Sequence, residues 1–75
     1  MSFKFTIVLQ RGLELLRISQ VDHEIETASI RSGRVSRGFN KDCGTIENAD
    51  DLFAQKLGDA LMKGYKIAGH NIEQD

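Results

Sequence analysis

From Arg31 to Lys41 the chain reads RSGRVSRGFNK, with four cations, two glycines and no acid. It is the one basic segment in a chain of formal net charge −1. Arg31, Arg34, Arg37 and Lys41, spaced along a loop edge, suit the oxygens of nucleic-acid phosphates. A guanidinium offers a planar fork of donors, and each phosphate that is neutralised releases counterions. The plainer reading is a solvated strand end whose cations keep an edge from pairing with neighbouring sheets. A protein that coats nucleic acid would be visibly basic overall, so the charge balance confines any such contact to this patch.

Other residues with chemical potential lack the company that chemistry requires. His23 lies among Asp22, Glu24 and Glu26, but neighbouring positions on a strand or turn point in different directions, and no second histidine stands at metal-binding spacing. No metal site is expected. His70 falls near the end of the sequence. Cys43, the single cysteine, has no adjacent base and reads as a small buried hydrophobe. Asp50, Asp51 and Asp59 are explained by the helix dipole and by i,i+4 pairing, as of Asp59 with Lys63. With no phosphate loop, nucleophile elbow or dinucleotide fingerprint, we expect no catalytic residue, no cofactor and no enzyme activity.

The elements that position these residues follow from periodicity. Asn48 to Tyr65 reads as one amphipathic helix, about residues 49–63, with Phe53, Leu57 and Leu61 in line and Ala49, Ala54 and Ala60 widening the stripe. Asn48 is the expected cap, and Asp50 and Asp51 suit the first turn. Gly64 is placed to end the helix in the left-handed conformation, with Tyr65 folding back on Ala60. Gly58 suggests close packing against a sheet. Leu52 and Met62 lie off the stripe, either as ordinary exposed residues or as a contact for a partner.

Everything before the helix looks like strands. Phe3, Phe5, Ile7 and Leu9 alternate onto one face. Gly12 turns the chain into a second strand, Leu13 to Val21, where adjacent Leu15 and Leu16 call for a bulge or for burial on both faces. A turn at Asp22 to Glu24 leads to a third strand, Glu24 to Arg31. A glycine turn at Gly38 and a fourth strand from about Phe39 to Ile46, kinked at Gly44, complete the reading. Ile67 and Ala68 could add a short edge strand, and residues 69–75 read as a flexible tail.

Gly33-Arg34-Val35, then Gly38, then an amphipathic helix closing on Lys63-Gly64-Tyr65, resembles the WGR domain over roughly Leu13 to Tyr65. The resemblance implies an α+β fold, a small antiparallel sheet of four or five strands covered on one face by a single C-terminal helix. With 75 residues and no linker or repeat, the chain reads as a single WGR-like domain over residues 1–68. In the poly(ADP-ribose) polymerases this domain meets DNA ends through its motif tryptophan and arginine; here Ser32 replaces the tryptophan, Ser36 replaces a following glycine, and only Arg34 carries over. Without the tryptophan no large stacking surface adjoins Arg34, since Phe39 and Tyr65 belong to the core, and sequence-specific readout is not expected.

At 75 residues the chain is near the size at which one core barely suffices, so self-association would help it. No apolar run approaches a membrane-spanning length, and one cysteine fits a reducing, cytoplasmic setting. Two functions are therefore in view. One is a small binding module contacting DNA phosphates through residues 31–41. The other is a module for protein interaction or homodimerisation, with no nucleic-acid role, using Leu52 and Met62.

Overall fold

The computed structural model describes residues 3–74, and for Phe3, Arg37, Glu73 and Gln74 the backbone alone. The chain runs β1 (Phe3–Arg11), β2 (Glu14–Val21), β3 (Glu24–Arg31), β4 (Arg34–Asp42), α1 (Ile46–Met62) and β5 (Lys66–Gln74). The strands form one antiparallel sheet in the order β4-β3-β2-β1-β5, with α1 packed on one face. Three two-residue turns join the first four strands, between the opposed pairs Arg11 and Glu14, Val21 and Glu24, and Arg31 and Arg34. Such tight hairpins need positive φ, which Gly12, Asp22, Ser32 and Gly33 supply. Ser32 and Gly33, at +50° and +78°, show the paired positive φ of a type I′ turn.

That last turn corrects the expected position of β4. The chain reverses at Ser32–Gly33 rather than Gly38, and β4 begins at Arg34 rather than near Phe39. Gly38 sits mid-strand as a bulge, the extra residue between Arg37, which pairs with Ala28, and Phe39, which pairs with Thr27. A Cβ there would meet Thr27 Oγ1 at 3.3 Å. Glycine serves turns and bulges for the same conformational reason, so its presence alone does not separate them. No bulge lies between β1 and β2; Leu15 and Leu16 are instead both half-buried, on opposite faces.

Phe5, Ile7 and Leu9 oppose Gln20, Ile18 and Leu16, and these in turn oppose Ile25, Thr27 and Ser29. This is the helix-facing side. Leu9, Ile18 and Ile25 are wholly buried there, with Ile7, Ala49, Phe53 and Ala60 close to it. The side chain of Phe3, expected on this face, lies outside the described residues. Gln20 is buried on the same face and spans the layers by donating to Asp50 Oδ1 at 2.8 Å and to the Asp22 carbonyl at 3.1 Å.

The helix starts earlier than expected. Thr45, with extended backbone, is the cap, and its Oγ1 accepts the Asn48 N–H at 3.1 Å. Asn48 instead lies inside the first turn and donates from Nδ2 to the Cys43 carbonyl at 3.2 Å. Both residue types can cap, and the upstream one is set in place by Gly44, at φ +82°, whose N–H bonds Asp42 Oδ1 at 2.8 Å. The far end closes as expected. Gly64 is left-handed, its N–H reaches the Leu61 carbonyl, and the Tyr65 N–H reaches that of Ala60, each at 3.1 Å, the two bonds of a Schellman motif.

Three other expectations change. Phe53 is buried, but Leu57 is only half-buried, and Ala54 and Leu61 are exposed, because the helix packs on β2 and β3 and leaves its Leu57–Leu61 flank over less of the sheet. Gly58 meets nothing within 4 Å where a Cβ would stand, so no close approach explains it. Residues 66–74 form a nine-residue strand on β1 where 69–75 read as a tail. The register with β1 shifts at Val8/Leu9, with Ala68 as the extra residue. That bulge breaks the two-residue alternation that would have marked a strand.

Candidate functional site

Two cations of the basic segment meet at one end of the molecule. Arg31 and Arg34 are directly opposed across the Ser32–Gly33 turn, and opposed residues of an antiparallel pair share a face. Arg31 lines a cleft of about 360 Å³ between one flank of α1 and the sheet, together with Arg11, Lys56, Asp59, Lys63 and Tyr65. The spacing of Lys56 and Lys63, two helical turns, sets them on one flank. Arg11 ends β1, so three separate elements bring cations to the same opening.

Glu14 organises this end. Its Oε2 accepts from Arg11 Nη2 and from the Tyr65 hydroxyl, each at 3.1 Å, and Arg31 Nε approaches Oε1 at 3.5 Å. The Arg11 hydrogen bond, then that of Tyr65, holds the Glu14 carboxyl below its ordinary range. Arg11 also donates to the Lys63 carbonyl at 3.0 Å and lies 4.6 Å from the centre of the Tyr65 ring. A cation at the negative end of the helix is favourable there. Lys56 Nζ stands 4.3 Å over the Phe39 ring. Phe39 and Tyr65 are partly buried against the core, so each aromatic both packs and carries a cation. Four cations face two carboxylates, Asp59 and Glu14, and the cationic surplus is what an anion would meet.

The remaining predicted residues separate. Lys41 opposes Ile25 near the other end of β4, roughly 20 Å along the strand from Arg34 at about 3.3 Å per residue. The backbone of Arg37 pairs with Ala28, while its side chain lies outside the described residues. Leu52 is half-buried and packs against the core; Met62 is 89% exposed. The expected Asp59–Lys63 ion pair does not form; ion pairs that do form include Arg11–Glu14, Arg31–Glu14 and His23–Asp42. Sequence reading missed Arg11, Glu14, Lys56 and Lys63. The Arg11–Glu14 contact was accessible from the Gly12 hairpin, which sets those residues opposite each other.

His23 takes Asp42 as partner rather than its sequence neighbours, with Nδ1 2.7 Å from Oδ1. The Gly44 N–H first, and His23 second, hold the Asp42 carboxyl below its usual range. The Cys43 N–H also bonds the His23 carbonyl at 2.8 Å, so this pair fastens the β2–β3 turn to the end of β4. Among the described residues no three His, Cys, Asp or Glu side chains gather as a metal would require, and no helix is long and apolar enough to cross a membrane. Comparison with protein-family models, curated proteins and solved structures found no match for this chain.

Proposed function

We propose that the protein is a small non-enzymatic binding module of WGR-like character that contacts nucleic-acid phosphates through its cationic end. The observation that carries this reading is the convergence of Arg11, Arg31, Lys56 and Lys63 on one cleft, with Arg34 opposite Arg31 at its rim. It supports phosphate contact more than the linear basic segment did, because three elements hold the charges at fixed spacing. Phosphate contacts of this kind position a duplex without reading its bases. A cytoplasmic setting suits a chain with one cysteine.

Titration of the protein with a short blunt-ended duplex, followed by fluorescence anisotropy at low and moderate salt, tests the reading. Binding falls with salt at a log–log slope of roughly −0.9 per phosphate contacted. Arg31→Ala with Lys63→Ala reduces that slope by about two contacts, and Lys41→Ala leaves it unchanged. The Arg31 side chain is 71% exposed, so its loss leaves the fold intact. Absence of binding at low salt, or equal losses from Lys41→Ala, overturns the reading. A second reading, a module for protein interaction or homodimerisation, is favoured by exposed Met62 and by the outer strand that follows the helix.

A further inference from the structure

The outer edge of β5 has features that the other surfaces lack. β5 is nine residues long and has β1 as its one neighbouring strand. From Ile67 to Ile72 the sequence IAGHNI contains no Lys, Arg, Asp or Glu. Edge strands are ordinarily guarded by charge, proline or shortness, since unpaired backbone groups template further pairing. None of those guards stands in the middle of β5.

Its apolar residues are aligned by the bulge. Ile67 opposes Leu9 and Ile72 opposes Phe5, so both share the helix-facing side although five positions separate them. Ile67 is 53% and Ile72 57% exposed, while α1 packs chiefly on β2 and β3. Leu61 and Met62, at 45% and 89% exposed, are the exposed apolar residues near the end of the helix.

We propose that a second copy of this chain docks here, the two β5 strands pairing antiparallel about a two-fold axis near Gly69 and His70. That axis sets Ile67 of each protomer against Ile72 of the other, on the same face, and sets the Lys66 position against the oppositely charged Glu73 position. Every contact is thus made twice, as an isologous interface requires. A strand from an unrelated protein would have to supply the same apolar spacing and charges, which a second copy already carries. With α1 over β2 and β3, both helices fit on one side of a continuous ten-stranded sheet. A strand of this length spans roughly 30 Å, and edge pairing covers less than the ~1,600 Å² total of a standard interface, so the dimer is weak and concentration-dependent.

Sedimentation velocity of the full chain from about 10 to 500 µM reads the equilibrium directly. The expected result is a monomer–dimer transition within that range, shifted at least about tenfold to higher concentration by Ile72→Lys. Val35→Lys, on the opposite edge strand, leaves it in place. Both substitutions are at exposed positions, and circular dichroism and thermal unfolding establish that the monomers stay folded. A monomer across the whole range overturns the proposal, as does a dimer that withstands Ile72→Lys but not Val35→Lys. No nucleic acid is present in these measurements, so their outcome is independent of the phosphate reading.

Discussion

The two outer strands of the sheet are treated in opposite ways. β4 carries Arg34, Arg37 and Lys41, is interrupted by the Gly38 bulge, and has Phe39 against the core with Lys56 over its ring. β5 carries no charge through its middle, and α1 packs chiefly on β2 and β3. A single helix of 17 residues cannot cover five strands, so one side of the sheet must remain bare. Both outer strands carry a bulge, at Gly38 and at Ala68, so charge is what separates them: the charged strand is protected against pairing, and the uncharged one is left competent for it. The difference shows how a small domain can hold its sheet closed at one edge and open at the other.

The comparison breaks most readily in stability measurements. Ile25→Ala, under the helix and wholly buried, should cost about 2–5 kcal/mol. Ile72→Ala, on the bare side, should change the monomer by no more than about 0.5 kcal/mol. Urea unfolding of both, at concentrations below dimerisation, decides it; similar losses would mean that the two sides are equally packed. Next in size is Gly33→Ala. At φ +78° a side chain costs roughly 1–2 kcal/mol, with the loss expressed in the β3–β4 hairpin. Gly58→Ala, with open space at its Cβ, should instead stabilise by up to about 1 kcal/mol. A destabilised Gly58 variant would reveal a constraint on the helix that its contacts do not show.

Capping effects are smaller. Thr45→Ala should cost about 1 kcal/mol by leaving the Asn48 N–H without its acceptor, and Asn48→Ala less, since it loses only the bond to the Cys43 carbonyl. Thermal unfolding ranks the two, and the reverse order would restore Asn48 as the cap. The smallest effect is that of pH. Because Glu14 and Asp42 are held below their ordinary range, each favours the folded state above that range. The contribution is lost as pH falls through the folded-state value. Glu14→Gln should flatten the decline in melting temperature on the acid side of about pH 4.5 while leaving the Asp42 part. An unchanged acid limb would show that the Arg11, Tyr65 and Arg31 contacts do not survive in solution.

Local physics accounts for what could be read in advance. The alternation of Phe5, Ile7 and Leu9, the Gly12 reversal, the helical stripe around Phe53 and the Gly64–Tyr65 closure are each written within a few residues, where period, φ and capping act. The turn and the cap were misplaced where one residue type serves two roles. Gly38 fits a turn or a bulge, and Thr45 and Asn48 both fit a cap.

The sequence by itself determined an antiparallel α+β domain with one covering helix, because hydrophobic period and turn residues are properties of short segments. Only the tertiary structure decided that β5 exists as a full strand, since its hydrogen bonds go to β1 at the other end of the chain and its bulge hides the period. The same holds for the cationic cleft. Tyr65 reaches Glu14 across 51 positions and Arg11 reaches Lys63 across 52, and the flank on which the helix lies determines which charges meet. Such pairings depend on the register and packing of distant segments, and no single segment encodes them.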